Sequence, residues 1–205
     1  MLFVDRFQEK TSVLGPGIRS VIWFHGCSRK CRGCIAAEMN DSADFSGIDV
    51  STLLDEVRAV NGIEGITLSG GEPFQQDLME MHKFLSQIKH TTSLSVMVYS
   101  GYLLSEIMKD PNKKRLLKFI DILVDAPYVE ELDEGQLWRG SGNQQIYFLS
   151  SRYKVLEQEI ESKKGRPVEI AFTEGLQFSI TGIPPRGFKD SLSRKLSEKD
   201  LNITW

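Results

Sequence analysis

Apolar positions along the chain fall into short continuous runs separated by longer amphipathic stretches. Leu2, Phe3, Val4 and Phe7 read as a short edge strand, and Gly15-Pro16-Gly17 forces a turn after it. Residues 20–24 are apolar almost throughout, as in a strand covered on both faces. A helix is predicted from Asp49 or Ser51, both good N-caps, with Leu53, Leu54, Val57 and Val60 on one face and Asn61-Gly62 closing it. Residues 65–69 read as a second strand, and residues 77–89 as a helix with Leu78, Met81, Leu85 and Ile88 inward. Residues 94–100 read as a third, parallel strand. Residues 106–109 and 113–118 read as a helix pair broken at Asp110-Pro111, where proline cannot continue the ladder. A fourth strand is predicted over 120–124, a fifth over 145–149, and a helix over 151–164 closed by Gly165. Residues 128–142 are long, acidic and irregular, a kind of loop that is often functional when ordered.

The last forty residues change character. Residues 168–172 and 176–181 alternate around Glu174-Gly175 and predict a β-hairpin ended by Pro184-Pro185. Beyond Arg186 the tail is charged and predicts partial disorder, with Leu201, Ile203 and Trp205 as residues able to dock. Strands alternating with helices predict an α/β fold with a parallel sheet and helical crossovers. Five to six strands are too few for a closed eight-stranded barrel. The expectation is therefore an open partial (β/α) barrel of about five to six parallel strands over residues 1–165. The hairpin and tail, 166–205, pack on the same domain.

Composition narrows the class. The chain has 205 residues, 40% of them hydrophobic, enough for one substantial core. Lysine and arginine number 25 against 28 acidic residues, a net charge of −3 that gives no footprint for nucleic acid. No apolar run approaches the roughly 18 residues of a membrane span. No secretory leader opens the sequence, which with its thiols predicts a cytoplasmic protein. Met79, Met81 and His82 read as packing and surface positions, and Lys113-Lys114-Arg115 as a solvated face.

The chemistry concentrates in one loop. Cys27, Cys31 and Cys34 are all the cysteines present, spaced C-x3-C-x2-C directly after the first buried strand. Their odd number and crowding argue against a disulfide framework. Thiolates in such a set favour zinc or an iron–sulfur cluster. A [4Fe-4S] cluster takes one cysteine per iron, so three would leave one iron open to a small molecule. Zinc bound by the three cysteines and His25 satisfies the same residue types. Spacing favours the cluster, because His25 lies only two residues before Cys27, and the zinc reading stays open beside it.

The cysteine motif followed by Ser69-Gly70-Gly71-Glu72-Pro73 after the next strand resembles the radical S-adenosylmethionine (SAM) superfamily. Gly15-Pro16-Gly17-Ile18-Arg19-Ser20 resembles the activating enzymes of glycyl radical enzymes within it. Three further segments resemble the anaerobic ribonucleotide reductase activating type. They are Tyr99-Ser100-Gly101-Tyr102, Leu123-Val124-Asp125-Ala126-Pro127-Tyr128 and Trp138-Arg139-Gly140-Ser141-Gly142-Asn143-Gln144. The resemblance runs from about Gly15 to Gln145 and implies a [4Fe-4S] cluster held by Cys27, Cys31 and Cys34, with SAM on the open iron. It implies reductive cleavage of SAM to a 5′-deoxyadenosyl radical, which then installs a glycyl radical on a partner enzyme. A low-potential donor such as flavodoxin or ferredoxin would supply the electron.

The same resemblance places the cofactor-binding positions at Gly33, Ser69, Gly70, Gly71, Glu72, Pro73, Tyr99, Ser100 and Asp125. Gly70 and Gly71 lack Cβ atoms and would let backbone approach the methionine amine. Backbone carbonyls there, with Glu72 nearby, would accept from that ammonium. Ser100 and Asp125, at strand ends, would reach the ribose or the methionyl group, or else cap the next helix. The superfamily commonly has an aromatic residue before the third cysteine, and this chain has Gly33. The activating type typically has tryptophan after it, and this chain has Ile35. Two other functions compete: a radical SAM enzyme acting directly on a small molecule or peptide, and a non-catalytic metal-binding module.

Overall fold

In the computed structural model, which describes residues 1–40, 46–172, 178–199 and 201, the chain builds a six-stranded sheet and a separate two-stranded hairpin. The strands of the larger sheet stand in chain order: β1 (Val4–Thr11), β2 (Arg19–Phe24), β3 (Gly65–Gly70), β4 (Ser95–Tyr99), β5 (Ile122–Val124) and β6 (Ile146–Phe148). Strands β2 to β5 run parallel. They are joined by α1 (Val50–Ala59), by α2 (Leu78–Thr91), and by α3 (Leu104–Lys109) with α4 (Pro111–Lys114). Asp77 caps α2 by accepting from the backbone N–H groups of Met79 and Glu80. Pro111 does more than interrupt a helix, because it occupies the first turn of α4, where its missing N–H is not needed.

Two alternating rows of side chains explain why β2 is buried along its whole length. Ile22, Leu68, Val98 and Leu123 lie side by side across β2–β5 and face the helices, packing with Leu53, Val57, Phe84 and Ile88. Each such fully buried side chain contributes about 2 kcal/mol relative to exposure. The opposite face carries Val21, Thr67, Met97 and Ile122 in one row, with Trp23, Ser69, Tyr99 and Val124 near the strand ends. That face is covered by loops and by the C-terminal region: Leu14, Trp138, Tyr153, Ile160 and Ile183 pack on it. Arg19 is fully buried at the far end of the same face. Its guanidinium donates to Thr67 Oγ1, Ser95 Oγ and the carbonyl of Ile66.

The expectation of five to six parallel strands needs correcting. Four strands are parallel, and both edges, β1 and β6, are antiparallel to their neighbours. A parallel return needs a crossover that carries the chain back to the opposite edge. The segment between β5 and β6 holds only a single 3-10 turn, Glu130–Leu132, so β6 starts where β5 ends. The sheet is open, with β1 and β6 as its edges.

Three further expectations change or are only partly met. The segment predicted as a helix over 151–164 is a 3-10 stretch, Ser151–Leu156, continuing into α5 (Glu157–Ser162). The hairpin forms from β7 (Val168–Phe172) and β8 (Phe178–Gly182), while its Glu174-Gly175 turn lies outside the described residues. Beyond Arg186, where partial disorder was expected, residues 188–197 are helical: α6 spans Phe188–Ser197, with Phe188, Leu192 and Leu196 half-buried along one side. Leu201 is exposed, and Ile203 and Trp205 lie outside the described residues.

Candidate functional site

Parallel strands deliver their C-terminal ends to one edge, and the predicted site residues are gathered there. The cysteine loop leaves β2, Gly70-Gly71-Glu72-Pro73 ends β3, Ser100 follows β4 and Asp125 follows β5. The cysteine loop is closed at its base, where Gly26 N–H donates to the Met39 carbonyl at 2.7 Å and Cys27 N–H to that of Asn40 at 3.3 Å. Lys30 and Gly33 take left-handed backbone, φ 47° and 72°, and turn the loop twice. Cys27, Cys31 and Cys34 are free and half-buried. Burial pushes the thiols of Cys27 and Cys34 up from their ordinary value. A coordinating metal reverses that preference by holding the thiolate.

The loop is gripped from two sides. Gln75 accepts from Ser28 N–H at 2.9 Å and donates to Ser28 Oγ and Tyr102 Oη. Arg29 pairs with Glu106 at 2.8 Å and lies 4.0 Å over the Tyr102 ring. On the other side Arg32 pairs with Glu130 at 3.4 Å. A Cβ at Gly33 would lie 3.2 Å from Glu130 Cδ and 3.3 Å from Tyr128 Cε1, so the space of a side chain at position 33 is already crowded.

The glycines after β3 have a reason that spacing did not reveal. A Cβ on Gly71 would overlap the Gly26 carbonyl oxygen, and one on Gly70 would lie 2.6 Å from Phe24 backbone. Gly71 N–H donates to Phe24 O, and Glu72 N–H to Gly26 O. This turn is therefore laced to the entry of the cysteine loop, and its missing side chains admit neighbouring backbone. The Glu72 side chain is buried and turned inward, accepting from Phe74 N–H, Ser100 Oγ and Gly101 N–H at 3.0, 2.9 and 2.7 Å. Burial pushes its pKa up to about 7, against the pull of those donors. Pro73 is buried and opens the 3-10 turn Pro73–Gln75.

Ser100 and Asp125 serve the local backbone. Ser100 accepts from Tyr102 N–H besides donating to Glu72. Asp125 accepts from Leu104 N–H at 2.7 Å, at the start of α3, and from Gln145 N–H at 3.2 Å. The segment 138–144 closes the long loop on itself. Gln144 accepts from Gly140 and Ser141 N–H and donates to Ala126 O, while Asn143 donates to Pro127 O.

A cavity of about 480 Å³ opens beside the cysteine loop. Gly33, Cys34, Ser69 and Tyr99 line it among the predicted residues, together with Trp23. Among the described residues the buried Tyr99 hydroxyl has no hydrogen-bond partner, and burial raises its pKa. Gly70, Gly71, Glu72, Pro73, Ser100 and Asp125 do not line the cavity but brace its neighbours. Sequence reasoning missed Tyr128, Glu130 and Arg166 as individual wall residues, although the acidic loop was expected to be functional. Arg166 gave no signal, because its partner Asp133 is distant in sequence and the pair is buried only in the fold.

The donor set fits an iron–sulfur centre: three thiols on one loop, next to a cavity large enough for an organic ligand. Among the described residues, no group of three or more His, Cys, Asp or Glu side chains is drawn together to hold a single metal ion. His25 Nδ1 lies 3.3 Å from Asp5 on β1, and its backbone carbonyl accepts from Gln76.

Comparison with known proteins points the same way. A family described as the 4Fe-4S single cluster domain matches residues 13–147. The anaerobic ribonucleoside-triphosphate reductase-activating protein of Enterobacteria phage T4 is 29% identical over 147 residues, covering 70% of this chain and 92% of the relative. That of Pasteurella multocida is 30% identical over 142 residues, covering 66% and 90%. That of Escherichia coli K12 is 28% identical over 144 residues, covering 67% and 92%.

Proposed function

Because the chain belongs to the 4Fe-4S single cluster domain family and to that of the anaerobic ribonucleoside-triphosphate reductase-activating proteins, we propose that it installs a glycyl radical on such a reductase. The observation that carries this reading is the C-x3-C-x2-C loop, laced by backbone hydrogen bonds to the turn after β3 and opening on the cavity. Cys27, Cys31 and Cys34 would hold the cluster, and the fourth iron would take the amine and carboxylate of SAM. One-electron reduction of SAM held there would break its S–C5′ bond, releasing methionine and a 5′-deoxyadenosyl radical able to abstract a glycine hydrogen.

The chain's own part is placement. Gln75 and Arg29 fix the loop carrying the thiolates, and Gly71 brings the β3 turn against its base. Carbonyls of the β3 turn would accept from the ammonium of SAM, and Glu72 would keep that turn rigid through its three donors. Trp23 and Tyr99 present apolar ring surface to the cavity. A flavodoxin- or ferredoxin-like protein would deliver the electron. A second reading, direct action on a small molecule or peptide, draws on the C-terminal residues 183–190 that wall the cavity.

The test is to mix reduced, reconstituted protein and SAM with an anaerobic ribonucleotide reductase and record electron paramagnetic resonance. A glycyl radical doublet on the reductase is expected. Release of 5′-deoxyadenosine with no reductase radical would move the assignment to the second reading.

A further inference from the structure

The cavity beside Cys34 has one wall that comes from beyond the matched stretch. Residues 183–190 line it together with Arg166, whereas the family match ends at residue 147. Resting on the function proposed above, we infer that this segment is the outer wall of the chamber that seats the adenosyl half of SAM. Nucleoside selection in this chain then depends on its C-terminal region.

The segment is anchored. Thr181 Oγ1 donates to Gln8 Oε1 at 2.5 Å and Thr11 Oγ1 donates to Glu169 at 2.7 Å, fixing β7 and β8 against β1. Ile183 packs into the cluster that contains Leu14 and Trp23 on the inner sheet face. Arg166 and Asp133 form a buried ion pair at the foot of the wall, with side chains only 3% and 6% exposed, and Arg166 also donates to the Gly140 carbonyl. Arg186 reaches Glu130 at 3.6 Å, and Glu130 in turn holds Arg32 of the cysteine loop. One carboxylate thus links the outer wall to the loop that carries the thiols.

The interior of this chamber asks for a particular ligand chemistry. Its floor offers the Trp23 and Tyr99 rings, with Ser69 at the strand end. The Tyr99 hydroxyl has almost no accessible surface, so this tyrosine offers the chamber its ring and not its oxygen. Apolar Ile183 and Pro184 face the same space. Flat rings and an apolar wall suit the faces of a heteroaromatic nucleoside. A volume of about 480 Å³ lies in the range of small-ligand sites.

The experiment uses the full chain, anaerobically reconstituted, with SAM and no reductant, so that nothing turns over. Hydrogen–deuterium exchange and calorimetric affinity are read for the wild type, Ile183→Ala and Arg186→Ala. SAM is expected to slow exchange at the amides of Ile183 and of residues 186–189. Ile183→Ala should weaken SAM binding about 3- to 10-fold and Arg186→Ala about 2-fold. SAM binding by the wild type with unchanged exchange at 183–189, and unchanged affinity in Ile183→Ala and Arg186→Ala, overturns the wall while leaving the proposed function standing. No SAM binding by the wild type overturns both.

Discussion

The carboxylate of Glu72 sits 1% exposed in the mouth of the sheet, gripped by three donors, and still holds its proton to about pH 7. The unfolded chain releases that proton near the ordinary glutamate value of 4.5. Between these limits the folded state binds more protons, so stability falls as pH rises through the interval, by about 3 kcal/mol in all. Glu72→Gln removes the titrating group and keeps a side chain of the same shape. Urea unfolding from pH 4.5 to 7.5 should therefore show stability falling more steeply with pH in the wild type than in the variant; equal slopes would contradict the burial argument. At this scale the sequence was legible for identity and less so for purpose. The cysteines and the Gly-Gly-Glu-Pro turn announce themselves by residue type and spacing. That Gly71 makes room for Gly26, or that Asp125 accepts from Leu104 N–H, depends on neighbours far away in the chain.

Among the elements, the junction of β2 and β3 sets the site. Gly71 N–H and Glu72 N–H both donate to the backbone that leads into Cys27, and a Cβ at position 71 would collide with the Gly26 carbonyl. Gly71→Ala is expected to push that backbone aside and to lower the iron bound after reconstitution to less than half the wild-type content, with the helical far-ultraviolet signal retained. Full iron content in the variant would show that the two turns are not coupled. Parallel strands and crossover helices were readable because apolar runs and amphipathic stripes alternate. The direction of β6 was not, since a strand's pattern carries no arrow and only the missing crossover helix decides it. Helix α6 escaped notice because its apolar positions, Phe188, Leu192 and Leu196, are outnumbered by charged neighbours, although their spacing of four is helical.

Across the whole molecule, one face of the sheet is covered by helices and the other by loops and the C-terminal region, leaving a cavity at the edge where the parallel strands end. No helix among the described residues is long and apolar enough to cross a membrane. The split of labour is physical: the helix-covered face supplies the core, and the loop-covered face supplies a chamber whose walls come from distant parts of the chain. Such a chamber has no local signature, which is why Arg166 and residues 183–190 were invisible before folding. On the proposed function, three thiolates would hold an iron–sulfur cluster with one iron left for SAM. That assignment is tested most directly by anaerobic reconstitution, counting iron and measuring 5′-deoxyadenosine after dithionite and SAM are added, with Cys31→Ala in parallel. The account predicts about four irons per chain and nucleoside release that the variant abolishes; bound zinc, or equal release from Cys31→Ala, would contradict it.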